Sequence, residues 1–284
     1  MLVPLLWLGL AAPLAAQVRA VQSPEQLAQQ ATTMSPEEAA KLETQIEKAP
    51  GDWTARAKLI GYYYYQWMPV GEQGAKAARR RHVFWMIQNQ PELPLAGIQE
   101  AVIEPQGSAL ADLEGWQKAR ELWMTYLEGG SAQTLGNLAK YFQLSDKELA
   151  EKALLRATAL EPANGEWTWR LGFLYAIAII GVDGVGLNGQ PSSIDPFARE
   201  SPFAIKARKE LDTAQNAYLL AVAANVISRY GTMLAPSDRA RMGHLEDAER
   251  LLQKAAALDP GNPSWKQMLS QMQAWKLQMR TPGR

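Results

Sequence analysis

The chain has 284 residues, 47% of them hydrophobic and 20% charged, with Lys+Arg equal to Asp+Glu and no cysteine. That apolar content can offset the entropy of ordering, which excludes a disordered chain, and zero formal net charge gives no electrostatic basis for binding nucleic acid or an anionic membrane. Without cysteine there is no disulfide framework, thiol nucleophile or cysteine-type zinc site.

Met1 to Ala16 reads MLVPLLWLGLAAPLAA, uncharged and apolar, ending in small residues. It is too short, and too broken by Pro4 and Pro13, to span a hydrocarbon layer of about 30 Å, which takes about 20 apolar residues. It fits the hydrophobic and cleavage regions of a secretory signal peptide, processed near Ala16 or Gln17. Residues 1–17 are therefore expected to be a signal, and the remainder periplasmic or secreted with no membrane span after cleavage. An uncleaved membrane anchor is the rival expectation. No cysteine follows, which excludes a lipoprotein-type acyl anchor.

Ser23-Pro24-Glu25-Gln26 and Ser35-Pro36-Glu37-Glu38 share one helix-start grammar: Ser at the N-cap, Pro at the first helical position, Gln or Glu three residues past the cap. The second opens a helix through Leu42 and Ile46 that stops at Pro50, and Asp52 caps the next, with Leu59 and Tyr63 on one face. Four consecutive tyrosines, 62–65, cannot share a helix face, because successive residues lie about 100° apart. Tyr63, with Tyr62, is expected in the core and the others along a groove or ligand platform. Residues 74–88 form a partner helix whose run Lys76, Arg79, Arg80, Arg81 and His82 reads as a solvated face, the alternative being a small anion or acidic-partner site. The Pro/Gly-containing stretch 92–107 reads as a connector. A helix over 108–128 carries Leu110, Leu113, Trp116, Leu122 and Trp123 at helical spacing.

Leu135-Gly136-Asn137 opens another helix, and Ser145 with Glu148 forms a capping box for the following one. Counting back from Pro162, Ala150, Leu154 and Ala157 make a small-large-small seam. Counting back from Pro260, Ala248, Leu252 and Ala255 repeat it 98 residues later. The flanking text agrees: Ala159-Leu-Glu-Pro162-Ala-Asn164 against Ala257-Leu-Asp-Pro260-Gly-Asn262. With Trp167, Leu171-Gly172 and Tyr175, this order resembles the tetratricopeptide repeat (TPR), a helix–turn–helix unit of about 34 residues. The resemblance implies an all-α, right-handed α-solenoid over 18–284, with its best repeats at 35–91, 131–175 and 238–275. It implies a non-catalytic scaffold, needing no cofactor, that binds a protein or peptide in a concave groove. First helices line that groove in TPR proteins, which implies Lys58, Tyr64, Tyr65, Trp169, Arg170 and Phe173 as contacts. The Lys/Asn set that clamps a C-terminal carboxylate in chaperone-binding members is not visible at these positions. Trp53, Trp116, Trp123, Trp167 and Trp265 are expected in the core, and Trp67, like Trp169, can face the groove.

Between the two matching units the chain departs from the pattern. Residues 181–202 read as an inserted loop, either inert or a lid, which leaves a small-ligand-binding or hydrolytic envelope protein as the alternative function. Helix 203–229 follows, then a break at Gly231 and Pro236, then helices 238–258 and one through Trp265, Leu269 and Met272. Gly184-Val-Gly186-Leu-Asn-Gly189 spells G-x-G-x-x-G, but a helical repeat precedes it and Gln190-Pro191 follows, against a dinucleotide site. Asp183, Asn188 and Asp195 lack the spacing of an EF-hand. His82 and His244 are 162 residues apart, and no H-E-x-x-H or G-x-S-x-G occurs. No catalytic or metal residue is assigned.

Overall fold

The computed structural model describes residues 22–185 and 190–280, so the expected signal at 1–17 and residues 281–284 lie outside the described residues. The described chain is mostly helical, as an all-α protein requires, with one short hairpin. No described helix is long and apolar enough to cross a membrane. The first helices are α1 (Pro24–Gln30), α2 (Pro36–Lys48), α3 (Trp53–Tyr65), the single turn α4 (Trp67–Val70) and α5 (Glu72–Asn89). Both expected capping boxes form, at Ser23 with Gln26 and at Ser35 with Glu38, and Asp52 accepts from the Thr54 and Ala55 amides. α3 packs against α1, α2 and α5. It meets α1 so closely that a Cβ at Gly61 would stand 2.1 Å from the Ala28 carbonyl oxygen.

The expected connector at 92–107 is instead core. Two 3-10 turns, Pro94–Gly97 and Gln99–Ala101, bury Leu95, Ala96, Ile98 and Ala101 completely. A non-helical segment can be buried only if its backbone polar groups find partners. Here Asn137 donates to the Pro91 and Leu93 carbonyls at 2.8 and 2.9 Å, Arg79 donates to the Glu100 and Val102 carbonyls at 3.0 and 2.7 Å, and the Ile103 amide donates to the Tyr141 hydroxyl at 3.0 Å. The helix expected over 108–128 is shorter: α6 is Leu113–Met124, started by Asp112, whose carboxylate accepts from the Gly115 amide.

α7 (Ala132–Phe142), α8 (Lys147–Leu160) and α9 (Gly165–Ile180) follow. α7 starts earlier than Leu135, because Ser131 caps it. The capping box at Ser145 does not form: Asp146 caps α8 by accepting from the Leu149 amide, while the Ser145 hydroxyl accepts from the Trp116 indole N–H at 3.1 Å. A carboxylate one residue nearer the helix wins the cap and frees the hydroxyl for its neighbour.

The expected loop at 181–202 contains a hairpin. β1 (Val182–Val185) pairs antiparallel with β2 (Pro191–Ile194), in the register Val182 to Ile194, followed by the 3-10 turn Pro196–Glu200. The expected continuous helix 203–229 is two, α10 (Pro202–Thr213) and α11 (Ala217–Val226): the chain turns extended at Ala214, and Asn216 caps the new helix. A π turn, Ile227–Gly231, continues α11 into the three-residue α12 (Thr232–Leu234), and α13 (Asp238–Leu258) and α14 (Pro263–Arg280) complete the chain.

α7 packs on α8, α8 on α9, α9 on both α10 and α11, α11 on α13, and α13 on α14. Both small-large-small seams are inside: Ala150, Ala157, Ala248, Leu252 and Ala255 are fully buried and Leu154 nearly so. Glycines set the spacing between α7, α9 and α11. A Cβ at Gly136 would stand 2.3 Å from the Trp167 ring, and one at Gly172 3.0 Å from the Leu219 carbonyl oxygen. The two matching turns are alike down to their hydrogen bonds. The Trp167 indole donates to Glu161 at 2.9 Å and the Trp265 indole to Asp259 at 3.2 Å, while Asn164 and Asn262 each accept from the amide two residues on. Trp123 and Trp167 are fully buried, and Trp53, Trp116 and Trp265 pack half-buried against the same core. Near the N-terminus a second, smaller cluster joins Ile46, Leu59 and Tyr62, with Tyr63 packed on it.

Candidate functional site

A groove runs along the faces of α7, α9, α11 and α14 that are not used in this packing. Its first half is a cavity of about 520 Å³ walled by Glu25 and Gln29 of α1, Gly97, Gln99 and Glu100 of the buried 3-10 segment, Ala139 and Lys140 of α7, and Trp169, Arg170 and Phe173 of α9. Its second half, about 380 Å³, is walled by Tyr218, Val222 and Asn225 of α11, Arg229 and Tyr230 of the π turn, and Trp265 and Met268 of α14. Trp169, Phe173 and Gln190 line both halves, so the two cavities adjoin across these side chains. Trp169 and Phe173, one helical turn apart, stack at 5.4 Å between ring centroids with planes 18° apart. Trp169 remains 43% exposed. A large exposed indole standing on a concave wall is the kind of surface that takes a partner's apolar side chain.

Of the residues expected to make contacts, the structure brings Trp169, Arg170 and Phe173 together on the groove wall. Arg170 is held there by Glu166 at 2.6 Å and by the Gly136 carbonyl at 2.9 Å. Tyr64 and Tyr65 stand behind the wall. The Tyr65 hydroxyl donates to Glu100 at 2.6 Å, and the Tyr64 ring lies 5.1 Å from the buried Arg79 guanidinium. Lys58 lines a separate concavity with Met34, Glu38 and Leu42, and Trp67 lines neither half of the groove. Tyr218, Asn225, Arg229 and Tyr230 were not expected on the wall. Their signal was the spacing 218, 222, 225, 229, one helix stripe, in a stretch that the repeat register does not cover.

The charge run on α5 is not a solvated face. Arg79 is buried, Arg80 forms a two-pronged pair with Asp112, and Arg81 and His82 both reach Glu43. His82 is buried, with Arg56 donating to its Nδ1 at 3.3 Å, so its Nε2–H must donate to Glu43, 3.0 Å away. Burial pushes His82 down, toward the neutral ring, and the Arg81 and Arg56 charges do the same. Burial disfavours the Glu43 carboxylate, but hydrogen bonds from His82 and Tyr63 and the Arg81 charge outweigh it and hold Glu43 at about 2. Glu43 joins Tyr63, Arg81 and His82, and His82 joins Arg56, tying α2, α3 and α5 together; none of these five residues lines either half of the groove.

Other expectations resolve in place. Gly184 sits in β1 facing Ser193, and the chain re-enters as β2, so no helix starts in the described part of the G-x-G-x-x-G run; Gly186 to Gly189 lie outside the described residues, as does Asn188 of the calcium set. Among the described residues, no cluster of three or more His, Asp or Glu is placed to hold a metal. No protein-family profile, curated protein or solved structure matches the chain.

Proposed function

We propose that the chain is a non-catalytic scaffold of the cell envelope that binds a peptide or protein partner in this groove, as a TPR-like solenoid does. One observation carries the reading: the Trp169–Phe173 stack, its indole exposed, stands on the wall of two adjoining cavities that together offer room for a peptide segment. The order of helices supports it. In TPR terms α7, α9, α11 and α14 are first helices facing the trough, α8, α10 and α13 are second helices, of which α8 and α13 carry the buried seams, and the 3-10 segment 94–101 takes a first helix's place between α3 and α7. The apolar stretch Met1–Ala16 supports an exported, periplasmic or secreted location.

A photo-crosslinking residue at Phe173 should capture a partner in cells of the native host, with the same residue at Leu155, which is 50% exposed on α8, as the control. Capture at Phe173 that Trp169→Ala abolishes supports the scaffold. Identical products from both positions would sink it. A small-ligand or hydrolytic protein closing over its site with 181–202 is the second reading. It is favoured by Gln190, which joins both halves of the wall, and by a cavity volume in the small-molecule range. A thermal shift with a metabolite but with no peptide would prefer it.

A further inference from the structure

We propose that the second half of the groove selects a peptide segment bearing an acidic side chain beside a large apolar one, with Arg229 as the anchor for the carboxylate; this rests on the scaffold reading above. α11 is buried almost all round: Leu219 to Ala224 and Val226 to Ser228 face the core. Its exposed positions are Tyr218, Asn225 and Arg229, which with Val222 make one stripe at i, i+4, i+7 and i+11, and all four line the cavity. A stripe of Tyr, Asn and Arg on an otherwise apolar helix is a recognition surface, with amide and guanidinium donors beside aromatic rings.

The charges of the groove single out Arg229. In the first half, Glu25 pairs with Lys140 at 3.5 Å, Glu166 with Arg170 at 2.6 Å, and Glu100 takes the Tyr65 hydroxyl. Arg229 is, among the described residues, the only cation on the wall of the second half, and no carboxylate accompanies it there. Among the described residues its guanidinium makes no ion pair, only a contact at 5.2 Å with the ring of its neighbour Tyr230. The arginine lies in the π turn, a backbone feature that frequently marks functional positions. A single guanidinium matches one monovalent carboxylate rather than a phosphate dianion, which arginine clusters bind. The first half adjoins Arg229's cavity across the Trp169–Phe173 stack, and the carboxylate is assigned to an Asp or Glu side chain of a segment lying along both. Trp265, Met268 and the Trp169–Phe173 stack then receive the adjoining apolar side chain.

Selection of displayed random peptides on the full purified chain tests this, followed by anisotropy titration of a selected peptide with an amidated C-terminus. The expected sequences carry Asp or Glu within a few residues of an aromatic or large aliphatic side chain. Changing that acid to its amide should weaken binding to the wild type about tenfold and leave binding to Arg229→Gln unchanged, while Arg229→Lys keeps most of the affinity. The peptide substitution reads the pair on unaltered protein, so the test survives a variant that does not fold. Selected peptides without an acid, or indifferent to the acid-to-amide change, overturn the assignment while leaving the groove reading standing if Trp169→Ala abolishes their binding. Loss of affinity on amidation overturns the side-chain source. Failure to select any peptide overturns both this assignment and the scaffold.

Discussion

Acidification should destabilise this protein, and one separable contribution comes from His244. The ring is fully buried on α13, and among the described residues neither nitrogen has a partner. It is also tightly walled: a Cβ at Gly231 of the π turn would come 2.8 Å from its Cγ. Burial, with the Arg199 and Arg208 charges adding to it, pushes its pKa down to about 4, against about 6.5 for an unfolded histidine. A base whose folded pKa is depressed contributes no penalty above 6.5, and the folded state loses ground as pH falls from there toward 4 because the unfolded chain takes the proton first. The linkage relation gives a loss of about 2 kcal/mol by pH 5 and about 3 kcal/mol by pH 4. Urea unfolding at pH 7, 6, 5 and 4, followed by circular dichroism, measures it when His244→Leu is run alongside, because other groups titrate equally in both proteins. The wild type should lose those amounts relative to the variant, and the variant should be at least as stable at pH 7, since it removes two unpartnered buried nitrogens. A difference that stays flat across this range would refute the reasoning.

Gly136→Ala should cost about 2 kcal/mol in urea unfolding even though alanine favours helices, since the new methyl collides with the Trp167 ring; pairing it with Trp167→Leu should relieve part of that cost, and additive losses would contradict the contact. Lys206→Met leaves Glu151, buried and bonded to Tyr175 at 2.8 Å, without its cation. The variant should lose about 2 kcal/mol in urea unfolding at pH 7, and a loss below about 0.5 kcal/mol would mean that the pair contributes little.

How far the sequence discloses this molecule differs by kind of signal. Helix starts with a Ser-Pro-Glu grammar, and the seams at Ala150–Ala157 and Ala248–Ala255, act within one or two turns and are readable from spacing. The segment 94–103 was opaque because its burial depends on Asn137 and Arg79, which satisfy its carbonyls from other helices. Ser145 and Asp146 are both acceptable caps; Asp146, one residue nearer the helix, takes the role, and the released Ser145 hydroxyl accepts from Trp116, a partner distant in sequence. The groove was partly legible: repeat register reached Trp169, Arg170 and Phe173. The α11 wall was missed because the repeat register that pointed to Trp169, Arg170 and Phe173 does not extend over 181–237, although Asn216 is a favoured N-cap, and the charged run of α5 looked solvated because Asp112 and Glu43 come from distant sequence.

The twin turns at Glu161–Trp167 and Asp259–Trp265 bear on how quickly the chain can organise itself. Each hydrogen bond joins partners only six residues apart, and the next layer, Arg170 to the Gly136 carbonyl, spans thirty-four. Such contacts close small loops with little entropy loss, and rates of folding rise as contacts become more local. Either turn can therefore serve as a starting point, with neighbours added outward, and a lesion in one half should slow that half while the other still zips up at its own rate.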